Sequence, residues 1–148
     1  MGLAIFLIVN TFILAIITVD GNSMEPTFNS GQKIIFSRLS KNQEDFKRKD
    51  IVFFRLKDGR TYVKRIIGVP GELLEIKDGK LVINGKEFES DISDDFIFTY
   101  NSNKWYLKEG EYFVLGDNRE KNDSKDSRIF GPIHIEEIQG RYINFLGR

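Results

Sequence analysis

The stretch TYVKRIIGVPG, residues 61–71, sets a lysine and an arginine inside a run that is otherwise aromatic and β-branched. Such a run reads as a strand. Side chains alternate along a strand, so Tyr62, Lys64 and Ile66 share one face, and Val63, Arg65 and Ile67 the other. Lys64 is then flanked on its own face by two large side chains, which is a route to desolvation. Burial against apolar groups is the known way to bring a lysine amine down from its ordinary value near 10.4 and make it available as a base. Arg65 points away and needs a carboxylate of its own. The plain alternative is an edge strand whose charges prevent aggregation.

The pattern around this stretch is also strand-like. KIIF, DIVFFRL, LLEI, KLVINGKEF and EYFVLG are short runs rich in Ile, Val, Phe and Tyr, separated by turn signals. KDGK (residues 77–80) and INGK (83–86) carry Asp-Gly and Asn-Gly pairs, which tolerate the positive φ of a tight hairpin. Residues 72–90 therefore read as a small β-meander. Residues 37–50 read as a solvated loop or short helix, 89–95 as an exposed loop, and IHIEEIQGRY as holding one helical turn. The expected class is mainly β. Pro26, Pro70 and Pro132 fall beside glycines or small polar residues, as loop positions in a β-protein do.

The chain has 148 residues, suited to one compact domain. With 22 basic and 22 acidic residues the net charge is zero, so no polyanion is called for and no nucleic-acid partner is expected. There is no cysteine, which closes the thiol route to catalysis and leaves no disulfide framework. His134 is the single histidine, in the apolar segment GPIHIEEI, and a Ser-His-Asp triad would have to use it.

Residues 1–19, MGLAIFLIVNTFILAIITV, carry no charged side chain. A spanning helix needs about 20 mainly apolar residues, so the run is just long enough. A cleaved signal peptide would show a basic start and a small-residue cleavage site, and neither is present. A buried core helix is the other reading. A membrane anchor is expected, with its start clipped, because no Lys or Arg precedes the run to orient it.

Directly after it comes VDGNSMEPTF, which presents Ser23. A serine hydroxyl is a poor nucleophile until a neighbouring base takes its proton. With His134 disfavoured, that base is a Lys, Asp or Glu, and Lys64 is the candidate inside an apolar strand. A third segment, GDNREKNDSKDSRIFGPI (residues 116–133), is a long polar loop that supplies Asp117 as partner for Arg65 and hydroxyls to hold an amine. Its oxygen donors do not follow the spacing of a calcium-binding loop, and no metal site or cofactor is expected.

Together GNSMEPT, YVKRIIGVPGE and GDNREKNDSKDSR..GP, with KDIVFF as a further box, resemble the motifs of the bacterial type I signal peptidase family. They stand in the family's order and cover most of residues 19–133. The resemblance implies Ser23 as nucleophile and Lys64 as general base. It implies Ser124 as the hydroxyl that orients the amine, with Ser127 as the alternative, because Glu120, Lys121, Asn122 and Asp123 lengthen the loop before it. Asp117 and Arg65 match an ion pair, Asp126 and Arg128 match positions that shape the loop beneath the lysine, and Met24, Tyr62 and Val63 line the site. The oxyanion hole would use the Ser23 backbone N–H; Gly21 stands where some members carry a second hydroxyl donor.

The implied fold is an antiparallel β-sheet catalytic core of the signal-peptidase type over residues 20–71 and 110–148. It carries a small β insertion over 72–109 and is preceded by an apolar membrane helix over 1–19. The implied activity is that of a serine endopeptidase in the cell membrane, single-pass, with the catalytic domain on the extracytoplasmic side. Its partners would be the lipid bilayer and secreted preproteins with small residues before the cut. Three other readings compete. A self-cleaving repressor of the Ser-Lys type would want a DNA-binding amino-terminal domain. A signal-peptidase-like pilus assembly factor would be expected to lack Ser23 or Lys64. A membrane-tethered binding domain would not react with a serine-directed probe.

Overall fold

The computed structural model of the chain describes residues 14–38, 46–92, 97–100, 102–120 and 124–144. Its strands are β1 (Leu14–Thr18), β2 (Lys33–Ser37), β3 (Ile51–Arg55), β4 (Thr61–Gly68), β5 (Leu73–Lys77), β6 (Lys80–Ile83), β7 (Lys86–Glu87), β8 (Lys104–Tyr106), β9 (Glu111–Leu115), β10 (Ile133–His134) and β11 (Ile138–Tyr142). One helical turn, α1 (Ser127–Phe130), and a 3-10 turn at Ile135–Glu137 lie between β9 and β11. A seven-stranded antiparallel sheet runs β1-β2-β11-β3-β4-β9-β10, and a four-stranded one runs β7-β6-β5-β8.

The large sheet is covered on both faces, which is why β3 is apolar at four successive positions rather than alternating. Val52 and Phe54 pack with Ile66, Tyr112, Val114, Ile133 and Ile138 on one side. Ile51 and Phe53 join Ala15, Val19, Met24, Phe28, Ile34 and Phe36 on the other. A third cluster, including Ile67, Phe113 and Leu115, packs the large sheet against Leu74, Ile76, Leu81 and Ile83 of the small one. Each such side chain contributes about 1.5–3 kcal/mol by leaving water. On the outer face of the small sheet Glu75 pairs with Lys77 and Lys104 at 3.1 Å each.

Both expected hairpin turns are present. Lys77 pairs with Lys80 and Ile83 with Lys86, leaving two-residue loops. Asp78 and Gly79 have φ of 50° and 76°, and Asn84 and Gly85 have 50° and 80°. Positive φ at both central residues is the turn whose twist matches that of the flanking strands.

One expectation is corrected, and further strands are added. The apolar helix over residues 1–19 does not extend to residue 19: Leu14–Thr18 is a strand, paired in register with β2 from Leu14↔Ser37 to Thr18↔Lys33, and Ala15 and Val19 are buried in the core. Residues 1–13 lie outside the described residues. Among the described residues no helix is long and apolar enough to cross a membrane. The segment IHIEEIQGRY holds one 3-10 turn, as expected, but it also contributes β10 and β11. Finally, β8 is a strand that the sequence reading did not mark. Residues 39–45 of the expected loop 37–50, and residues 93–95 of the loop 89–95, lie outside the described residues.

Candidate active site

Lys64 is held where its strand is half bonded. On one side β4 pairs with β3 along its length, from Thr61↔Arg55 to Arg65↔Ile51. On the other, pairing with β9 begins only at Arg65↔Leu115. Residues Thr61–Lys64 therefore have an edge outside the β4–β9 ladder. Lys64 is 2 % exposed.

Ser23 sits on a tight turn after β1. Glu25 N–H donates to Asn22 O at 3.0 Å and Phe28 N–H to Met24 O at 2.9 Å. Met24 and Phe28 are buried beneath, Phe28 edge-on to Tyr142 with centroids 5.0 Å apart. These apolar anchors let the turn present Ser23 upward. The Lys64 amine donates to Ser23 Oγ at 2.6 Å.

Burial pushes the Lys64 amine down from 10.5 to about 8; the charges of Asp126 and Asp117 oppose that shift, while Arg128 reinforces it. An amine so lowered is neutral in roughly a tenth of molecules at pH 7 and in about half at pH 8. In the neutral form the direction of its hydrogen bond reverses, and the Ser23 hydroxyl donates to the nitrogen.

Beneath this pair, two carboxylates are tied down by guanidiniums. Arg65 Nε donates to Asp117 Oδ1 at 2.8 Å, and Nη2 to Oδ2 at 2.7 Å. Arg128 Nε and Nη2 donate to Asp126 Oδ1 and Oδ2 at 2.8 Å each, with both side chains fully buried. Asp126 also accepts from Gly116 N–H at 3.1 Å, from the Ser124 hydroxyl at 2.7 Å and from Arg128 N–H at 3.2 Å, so it caps α1. Buried ions persist only with such saturation of their lone pairs.

The two candidate hydroxyls differ in what they meet. Ser127 Oγ accepts from Val114 N–H at 2.9 Å and is tied to β9. Ser124 Oγ donates to Asp126, and it packs against Gly116, where an added Cβ would stand 2.3 Å from Ser124 Oγ and 2.5 Å from Ser23 O. The Lys64 amine bonds to Ser23, and the Ser124 hydroxyl to Asp126. Gly21 has a φ of 81°. Its N–H donates to Ser30 Oγ at 3.2 Å. His134 caps the 3-10 turn, its Nδ1 accepting from Glu136 N–H at 3.4 Å.

Three residues of this region were not marked from sequence. The Thr27 hydroxyl donates to Asp117 Oδ2 at 2.6 Å. Asn118 N–H donates to Ser23 O at 3.2 Å, and its Nδ2 to Asn22 O at 3.4 Å. Arg119 is buried and donates from Nε to Gly116 O at 2.6 Å. Burial lowers its pKa, against the pull of Asp117 and Asp126. Thr27, Asn118 and Arg119 all lie inside the quoted motifs, which was the available signal.

A groove of about 300 Å³ opens over the amine, walled by Ile17, Thr18, Val19 and Asp20 on one side and Thr61, Tyr62 and Val63 on the other, with Ser23, Met24 and Lys64 also in its lining. It lies between the sheet's terminal strand β1 and the open part of β4. A larger cavity of about 550 Å³ lies elsewhere, between the small sheet and Arg119, and has neither Ser23 nor Lys64 in its walls.

A serine hydroxyl in contact with a desolvated amine, at the floor of a groove, is an arrangement that serine hydrolases use. The comparisons agree with that class. The model of the family "Signal peptidase, peptidase S26" matches residues 1–146. Signal peptidase I V of Bacillus subtilis is 36% identical over 135 residues, covering 82% of this chain and 79% of the relative. Signal peptidase IB of Staphylococcus aureus is 33% identical over 154 residues, covering 93% and 80%. The crystal structure of a signal peptidase I from Enterococcus faecalis V583 superposes with a TM-score of 0.51 at 33% identity, covering 65% of this chain and 95% of that one. The chain belongs to the signal peptidase family, peptidase S26, and is a serine endopeptidase of the signal peptidase I type. The family is membrane-associated.

Proposed function

We propose that this chain cleaves signal peptides from secreted preproteins with Ser23 as nucleophile and Lys64 as general base. The observation that carries the reading is the 2.6 Å contact between the Lys64 amine and the Ser23 hydroxyl, made by a lysine that burial has brought down to about 8. The preprotein adds as an extended strand in the groove between β1 and the open part of β4, where main-chain hydrogen bonds give affinity. Small residues at the first and third positions before the cut fit shallow apolar walls made by Ile17, Val19, Met24, Tyr62 and Val63.

The neutral amine takes the Ser23 proton as Oγ attacks the scissile carbonyl. Negative charge on the carbonyl oxygen is met by the Ser23 N–H, a contribution of about 3 kcal/mol per donor in comparable sites. The lysine then gives its proton to the leaving amine. Water, activated by the same lysine, releases the acyl group. Ser124 takes the role of second hydroxyl partner for the amine. Asp117 with Arg65, and Asp126 with Arg128, hold the loop beneath it.

The apolar run upstream of β1 holds the sheet at the bilayer, with the catalytic sheet on the extracytoplasmic side. The family's membrane association and the absence of charge in residues 1–13 support this. Residues 20–71 and 110–148, joined by β1, form the catalytic core, and 72–109 form the inserted unit.

The test is incubation of the full chain in detergent with a preprotein carrying alanines at those two positions. Cleavage by the wild-type chain and none by Ser23→Ala is expected. Equal cleavage by both overturns the dyad.

A further inference from the structure

Beyond the dyad, one side chain ties its two halves together from a distance. Ser23 and Lys64 belong to segments separated by 41 positions, and their 2.6 Å contact requires the turn and the strand to be held to a few tenths of an ångström. The strand is held through its next residue, because Arg65 makes two hydrogen bonds to Asp117 and a third, at 2.8 Å, to Lys49 O. The turn is held on both flanks by the consecutive residues Asp117 and Asn118. Asn118 N–H grips the Ser23 carbonyl itself. Thr27, four residues after Ser23, donates its hydroxyl to Asp117 Oδ2 at 2.6 Å and accepts from Arg65 Nη2 at 3.4 Å.

The Thr27 hydroxyl thus enters the Arg65–Asp117 pair and meets both members. Asp117 is 1 % exposed, so its remaining lone pair has no water to turn to if Thr27 withdraws. We infer that Thr27 is a positioning residue for the peptidase reaction: its hydroxyl links the nucleophile's turn to the Arg65–Asp117 pair and so sets the distance between Ser23 and Lys64. The inference rests on the Ser23–Lys64 reading above. It gives Thr27 no contact with substrate and no share in proton transfer.

The expected consequence is selective. A displacement of about 1 Å at a reacting centre costs on the order of 100-fold in rate. Thr27→Val, close in shape but without the hydroxyl, should lower kcat by about 10- to 100-fold on a preprotein peptide, with KM little changed. The acid limb of the pH profile should stay in place, because Thr27 does not touch Lys64. Thr27→Ser should restore most of kcat. In an Asp117→Ala background, where residue 117 has no side-chain acceptor left for the hydroxyl, Thr27→Val should cost almost nothing more.

Wild-type kcat in Thr27→Val, equal losses in Thr27→Val and Thr27→Ser, or additive losses in the double variant would each overturn the inference. Loss of the fold in both Thr27→Val and Thr27→Ala would assign the hydroxyl to stability alone and overturn it as well. A Ser23→Ala control separates the two readings: full activity there sinks the dyad, whatever Thr27 does. Amide exchange then reads the link without activity. Faster exchange at Asn118 N–H in Thr27→Val is expected, and unchanged exchange refutes the link.

Discussion

Arg65 and Asp117 face each other through two parallel hydrogen bonds, Nε to Oδ1 at 2.8 Å and Nη2 to Oδ2 at 2.7 Å, across 52 positions of sequence. The pair sits one residue from the buried lysine and joins the strand that carries the amine to the loop beneath Ser23. The chemistry of this protein depends on such long-range ties, and most of what can be tested concerns them.

Removal of either member of the proposed Ser23–Lys64 dyad should abolish processing while the fold survives. Ser23→Ala and Lys64→Ala are expected to lower kcat by about 10⁴-fold or more, by analogy with other nucleophile–base pairs. Circular dichroism should show an unchanged β-sheet signal. A variant that processes preprotein at the wild-type rate would refute its residue's role.

The pH profile follows from the lysine. As the proposed base, Lys64 works only when neutral, so kcat/KM should rise with pH and level off above about 8, the value to which burial has brought it. Measurement across pH 6 to 10 checks this. Activity that peaks in acid would point to a carboxylate base.

The same burial costs stability, with a definite sign. Below pH 8 the lysine is charged in both states, and the folded state bears the full desolvation. Between 8 and 10.5 the unfolded chain holds the proton that the folded chain has lost, so stability rises with pH through that window. The difference from 10.5 to about 8 corresponds to roughly 3 kcal/mol. Lys64→Met should therefore raise the melting temperature at pH 7, and its advantage should shrink by pH 10. An advantage independent of pH would refute the account.

Asp126 is the saturated member of the buried pair with Arg128. Asp126→Asn leaves the guanidinium without its charge partner and should cost about 3–5 kcal/mol in a denaturant titration. Where the variant is still folded, the acid limb of its pH profile should move to lower pH, because Asp126 is the foremost charge favouring protonated Lys64.

Two glycines should answer differently to alanine. At Gly85, with φ of 80° and nothing within 4 Å of an added Cβ, the cost is backbone strain alone. It should amount to about 1–2 kcal/mol, with processing kept. At Gly116 the added Cβ would stand 2.5 Å from Ser23 O and 2.3 Å from Ser124 Oγ, so Gly116→Ala should lose processing. Melting curves and a preprotein assay on both variants separate strain from displacement.

Much of this was open to reading from local pattern. The Asp-Gly and Asn-Gly turns and the β-rich runs depend on neighbours in sequence, and they appear as β5, β6 and β7 and as β2, β3, β4 and β9. The alternation along β4 also holds: Tyr62 and Ile66 join one core cluster and Val63 another. What was misread depends on distant partners. Leu14–Thr18 is uncharged because it lies in the sheet beside β2, and an uncharged run after an apolar start looks like membrane. Strand β11, in the segment expected to hold one helical turn, contains Gly140. Here glycine lets the strand approach its neighbours, since a Cβ would meet Phe53 at 2.5 Å and Ser37 O at 2.6 Å.

By itself the sequence determined the mainly β class, the two tight hairpins and the residue types able to act as nucleophile and base, because turn chemistry, alternation and motif spacing are local properties. Only the tertiary structure decided that Lys64 loses its water, that its amine meets Ser23, and that Thr27 and Asn118 brace the turn. Those facts depend on the packing of β1, β4 and the loop after β9 around one groove, and desolvation and hydrogen-bond geometry exist only once segments far apart in the chain are in contact.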